Sequence, residues 1–406
     1  MRLRSPVLMI SLAVLLAPLA FTQEKGGQEE FGPYQVVENW PQPLPGPENE
    51  AWTWGSVGGI FAESPDRIWI AQRGQLPLPE TAKPGESVGQ YKGNANRMRP
   101  QTRWTNCVIV VDRDGKLIQS WKQHDELLAK GGKGPHQIKM SPYDPDKNVW
   151  VVSDSGDAVF KFSYDGKLLM TLGEVDVQGN DEKHFAEPAD IAFLPDGTFF
   201  VADGYVNTRV VKLDKDGNFL MAWGTKPADP NNPRPAEFNT VHSVAVGSDR
   251  RVYVADRSHS RIQVFDENGK FLDMWNDLSS PYTLLMSRDG YLWVADGHVN
   301  RISKYDLTGK FLYGWGTSAT LRSGDEPGFL DGPHQMSVDQ ENNLYIAEVY
   351  GGRPQKFRPM PGADPVKIMQ PVLGWPKASD SREPGRASSG RSGRRGDGRS
   401  RLHPSP

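Results

Sequence analysis

Cysteine is nearly missing from this 406-residue chain. Cys107 is its single thiol, so an intramolecular disulfide is excluded and the fold must be held by its own core. A dominant charge is missing too: 47 basic against 50 acidic residues leave a net charge of −3. That balance gives no global field toward nucleic acid or an anionic membrane, and neither partner is expected. Long apolar runs are absent apart from residues 7–21, which Pro18 interrupts and which are short for a membrane span. The apolar spacing of three and four that a helical solenoid requires is also missing. What is abundant is Gly (42), Pro (33) and 40 aromatic residues, a mixture of turn formers and strand formers that suits many short strands.

The two ends read differently from the middle. Arg2 and Arg4 precede the apolar run, and the polar run Gln23–Glu24–Lys25 follows it. This is the pattern of an export signal, expected over residues 1–22, with a periplasmic or extracellular destination and no stable membrane anchor. Residues 377–406 are Arg, Ser, Gly and Pro with almost nothing apolar, and are expected to be a disordered tail.

Residues 33–376 repeat one unit about 40 residues long. The clearest copies are residues 240–276 and 280–316, matched by 187–224, 135–173, a unit from Gly332, and a first unit from Gly58 that a long insertion splits. Each unit holds four short β-rich runs. Asp165–Gly166, Asp196–Gly197, Asp216–Gly217, Asn268–Gly269 and Asp289–Gly290 mark tight turns, since glycine accepts positive φ. Four strands per 40 residues is the signature of a propeller blade, so the fold class expected is an all-β, six-bladed β-propeller, and a monomer is expected. Ring closure needs a strand from a chain end. The run YQVVENW at 34–40 is favoured over the competing segment 366–375. Asp203, Asp256 and Asp296 each precede an arginine by five or six residues (Arg209, Arg261, Arg301), a spacing that reads as bracing within a blade. Trp121, Trp223, Trp275 and Trp315 read as interblade core.

Three units open their first strand with histidine: His136, His242 and His334. They fall in blades two, four and six, so equivalent positions on alternate blades converge on the axis about 120° apart. Three neutral imidazoles aimed inward make a zinc tripod with a fourth position open, the arrangement of a catalytic metal. His124, His184, His259, His298 and His403 share no register and read as surface or local packing residues.

With these motifs in hand, the chain from about residue 54 to 357 resembles NHL-repeat propellers, and in particular the peptidylglycine α-hydroxyglycine amidating lyases. The resemblance rests on the three histidine starts, on Arg73 in WIAQRGQ, on Tyr205 in VADGYVNTR and on Arg257 in VADRSHSR. It implies zinc on the three histidines and cleavage of a carbinolamide C–N bond to an amide and glyoxylate. It also implies a small-molecule or peptide carboxylate as substrate. Under it Tyr205 moves the proton, helped toward phenolate by nearby cations, and Arg73 and Arg257 hold the carboxylate. Gln335 departs from the family's aspartate after the last histidine, which leaves a structural calcium with only the backbone carbonyls of Ile60 and Ile138. The insertion over 75–106, with Tyr91, Arg97, Arg99, Arg103 and Trp104, reads as a lid or substrate wall beside Arg73. Two other functions stay open at this point: a metal-dependent propeller hydrolase of lactones or esters, and a non-catalytic NHL binding module.

Overall fold

The computed structural model describes residues 28–29, 32–78, 102–276, 278–316 and 327–375. The export segment, the tail, His403, and Tyr91, Arg97 and Arg99 of the insertion lie outside the described residues. Among the described residues no helix is long and apolar enough to cross a membrane.

The chain folds as a six-bladed β-propeller, one four-stranded antiparallel meander per sequence unit. The innermost strands are Val57–Ser64, Gln137–Met140, Pro188–Phe193, Val241–Val246, Pro281–Met286 and Pro333–Val338, in blades one to six. Each contacts the next around the ring. The units become blades because their first three runs are apolar on both faces and buried between neighbours, whereas the fourth is partly exposed at the rim.

The core is therefore divided among six gaps between blades. Tryptophans ending the outermost strands fill several of them: Trp121 meets Phe162 of blade two, Trp223 meets Phe265 of blade four, and Trp275 meets Tyr305 of blade five. Truncating a buried ring of this size costs about 3–5 kcal/mol, so these contacts dominate blade cohesion.

Blade six is completed by Tyr34–Val36, antiparallel to Arg353–Pro359. The N-terminal strand therefore closes the ring, and its backbone hydrogen bonds join the start of the chain to the last unit. Gln28–Glu29 adds a parallel fifth strand to blade five, upstream of the expected boundary at residue 33. The competing segment goes elsewhere. Val372 bridges Ser287 of blade five, and Trp375 donates to the Glu63 carbonyl of blade one while its ring meets Phe61. The intrablade braces form as Asp203–Arg209 and Asp256–Arg261, both at 2.8 Å, and as Glu348–Arg353 at 2.7 Å. In blade five Asp296 instead accepts the amide N–H groups of Ser279 and Ser280.

Candidate metal centre and substrate cavity

His136, His242 and His334 stand at or beside the start of the innermost strands of alternate blades, and all three are buried. They converge: one ring nitrogen from each lies within 4.8 Å of the others. The opposite nitrogen, Nδ1, is tied in every case to a backbone carbonyl at the matching position of the next blade. His136 bonds Ala189, His242 bonds Tyr282 and His334 bonds Gly58, each at 2.6 Å. A carbonyl only accepts, so each Nδ1 carries the proton and each Nε2 presents a lone pair to the axis. Burial holds all three imidazoles below their ordinary pKa, His334 down to about 3, with mutual proximity and Arg73 or Arg257 adding to the effect. Neutral, preoriented imidazoles with locked tautomers are what a divalent ion of the borderline kind requires. Gly58 permits this closeness, because a Cβ there would lie 2.6 Å from the His136 carbonyl oxygen.

Above the histidines opens a cavity of about 590 Å³. Its wall is built from the residues that follow the second strand of each blade. Arg73 and Asp154 come from blades one and two, Tyr205 from blade three, Arg257 from blade four, and His298 and Tyr350 from blades five and six. All six sequence-derived site residues are thus brought together. The Tyr205 hydroxyl is 2.7 Å from His242 Nε2 and 3.0 Å from His136 Nε2. Arg257 Nη1 donates to that hydroxyl at 3.3 Å, and its guanidinium lies 5.0 Å from the ring centres of both Tyr205 and Tyr282.

The two arginines are not equivalent. Arg73 Nη2 donates to Asp154 at 2.9 Å, and Lys133 pairs with Glu187 at 3.0 Å. Arg257 is the cation of the wall that has no carboxylate partner among the described residues. Tyr205 also differs from expectation. Arg257 and Arg73 do favour its phenolate, but burial outweighs them and pushes its pKa up to about 12.

Sequence reasoning missed Asp154, Tyr282 and Tyr350, and set His298 aside as a surface or packing residue. His298 lines the cavity, its ring 5.7 Å from Tyr282, whose hydroxyl meets that of Tyr350 at 2.9 Å. For Asp154, His298 and Tyr350 the position was available, since they follow the second strand as Arg73, Tyr205 and Arg257 do, whereas Tyr282 stands in the innermost strand of blade five, in the register of His242. Of the insertion, Leu76 and Thr102 do line the cavity. Arg103 turns away, stacking on Trp52 at 4.3 Å and bonding the Glu48 carbonyl.

Below the histidines the calcium pattern does not fit. Gln335 accepts the Ile60 N–H at 2.8 Å and donates to the Ile138 carbonyl at 2.9 Å, all of it buried. The nearby carboxylate of Asp190 is taken by Lys139 and Ser243. The carbonyl of Ile138 and the carboxylate of Asp190 are therefore already engaged by protein donors.

Blade four carries the family match: an NHL repeat model fits residues 238–265, which include His242 and Arg257. Peptidyl-glycine alpha-amidating monooxygenase B of Xenopus laevis is 34% identical over 223 residues, 54% of this chain and 24% of that protein. A probable peptidyl-alpha-hydroxyglycine alpha-amidating lyase of Caenorhabditis elegans is 35% identical over 160 residues, 39% of this chain and 42% of that protein. The chain thus spans less than half the length of these two relatives. A streptogramin B lyase structure aligns with a TM-score of 0.52 at 12% identity, covering 80% of this chain and 97% of that one, a likeness of fold alone. The class is a six-bladed β-propeller with three converging histidines, one blade of which matches an NHL repeat. Within that class the chain resembles the peptidyl-α-hydroxyglycine amidating lyases.

Proposed function

We propose that this chain is an exported, zinc-dependent carbon–nitrogen lyase that cleaves a carbinolamide, R–CO–NH–CH(OH)–COO⁻, to the amide R–CO–NH₂ and glyoxylate. The observation that carries the reading is the Tyr205 hydroxyl, placed on two of the converging Nε2 atoms and in contact with Arg257. The named relatives point the same way. The export part rests on the basic and apolar segment over residues 2–21.

His136, His242 and His334 would hold the ion, and a zinc ion bound there supplies Lewis acidity toward a hydroxyl oxygen. The protein's own groups do the rest. Arg257 binds the carboxylate through its guanidinium edge, while stacking between Tyr205 and Tyr282 fixes the plane of the fork. Tyr205 moves a proton: the hydroxyl hydrogen leaves oxygen as the C=O of glyoxylate forms, the C–N pair goes to nitrogen, and nitrogen takes a proton to become the amide. The net change is one proton from oxygen to nitrogen, so no external acid or base is consumed. Because Asp154 already neutralises Arg73, that residue shapes the field over Tyr205 more than it holds the carboxylate. Incubating the zinc-loaded protein with α-hydroxyhippurate and scoring glyoxylate tests the reading, and an absence of glyoxylate above the metal-only rate would refute it.

A further inference from the structure

Asp154 is the one acidic residue among the described residues of the cavity wall, and half of its carboxylate is idle. Oδ2 accepts from Arg73, whereas Oδ1 is buried with no hydrogen-bond partner, in a residue only 3% exposed. A buried carboxylate oxygen left unpaired is costly, and in a residue of the cavity wall it marks where a ligand donor belongs. Blades two and four flank blade three, so Asp154 and Arg257, which line the same cavity as Tyr205, come to it from the two neighbouring blades. A ligand with its carboxylate on Arg257 and its hydroxyl near Tyr205 has one group left at the reacting carbon, the nitrogen. We propose that Asp154 Oδ1 accepts the hydrogen bond of that N–H, so the site takes N–H carbinolamides and rejects isosteres with oxygen in place of N–H. This rests on the lyase reading above and adds to it the residue that reads the N–H of the substrate.

An ester oxygen opposite Oδ1 would bring a lone pair against a carboxylate, besides losing the bond. Discrimination by one charged hydrogen bond is about 10- to 100-fold. The test is calorimetric binding of hippurate and of its ester isostere, O-benzoylglycolate, to the zinc-loaded full chain. Wild type is expected to bind hippurate about 10- to 100-fold more tightly. Asp154→Ala brings the two ligands level. Asp154→Asn inverts the order, because Arg73 keeps the amide oxygen and turns the amide N–H toward the ligand. Equal binding by wild type, no hippurate binding at all, or an unchanged preference in Asp154→Asn overturns the proposal. Glyoxylate release is scored separately with α-hydroxyhippurate. Discrimination without turnover keeps the Asp154 role and removes the lyase reading, and turnover without discrimination does the reverse.

Discussion

The Tyr205 hydroxyl lies 2.7 Å from Nε2 of His242, on the nitrogen whose opposite partner, Nδ1, is pinned to the Tyr282 carbonyl. With Nδ1 protonated, Nε2 can only accept, so Tyr205 is the donor in this contact and its oxygen is free to receive Arg257. The phenol therefore stands on two of the three nitrogens that could hold an ion, and under the proposed reaction it is the proton carrier. Tyr205→Phe removes one oxygen atom and keeps the ring between its neighbours. Zinc stoichiometry should be unchanged while kcat falls by about 10²–10⁴, the usual range for loss of a positioned proton carrier. A variant that keeps wild-type kcat would remove Tyr205 from the chemistry.

His242→Ala and Arg257→Ala should separate metal from substrate. The histidine supplies one of three converging nitrogens, and two imidazoles alone make a much poorer site, so zinc measured on the purified variant should be lost. Arg257 touches Tyr205 and the cavity and no histidine by hydrogen bond, so its variant should retain zinc and bind hippurate at least about 10-fold more weakly. Stoichiometric zinc in His242→Ala would sink the assignment of the centre.

The ring and its histidines were legible because both are properties of a period. Asp–Gly turns punctuate the strands, and a histidine at one register of alternate units must reach the axis whatever the details of packing. The closing strand at 34–36 was legible for a similar reason, since blade six supplies only three strands of its own. The position of Asp154 was legible in the same way, but its role was not, because that comes from Arg73 in the neighbouring blade, and a contact between blades leaves no trace in a repeat alignment. The sign of the Tyr205 shift was hidden likewise. Nearby arginines can be inferred from motifs, whereas the depth of burial that outweighs them cannot. Trp375 lies beyond the last repeat in irregular backbone, so no pattern announced its place against Phe61.

Calcium should leave this protein indifferent. The Gln335 amide supplies both a donor and an acceptor across blades one, two and six, which is the cross-linking work a cation would otherwise perform. A resident ion at about 100 times its Kd adds roughly 2.7 kcal/mol to stability. Adding calcium to zinc-loaded protein is expected to produce no shift of that kind in a thermal melt. A rise of several degrees would show that carbonyls such as that of Ile138 are open to a cation after all.

The turn glycines have a second task besides their backbone angle. At Gly309 φ is +82°, and a Cβ would stand 2.5 Å from the Trp275 ring of the preceding blade. Trp275 packs there on Tyr305 and is 5% exposed, so it has little room to retreat. Gly309→Ala therefore meets two costs together: the left-handed conformation, about 1 kcal/mol for a side chain, and overpacking of about 1–3 kcal/mol. Gly290 is the control. Its φ is +80°, and nothing lies within 4 Å of a Cβ placed there, so Gly290→Ala bears the conformational cost alone. Equilibrium denaturation of both variants should find Gly309→Ala the less stable by about 1–3 kcal/mol, with zinc content equal in the two. Equal losses would mean that the turn, and not the contact between blades, sets the demand for glycine.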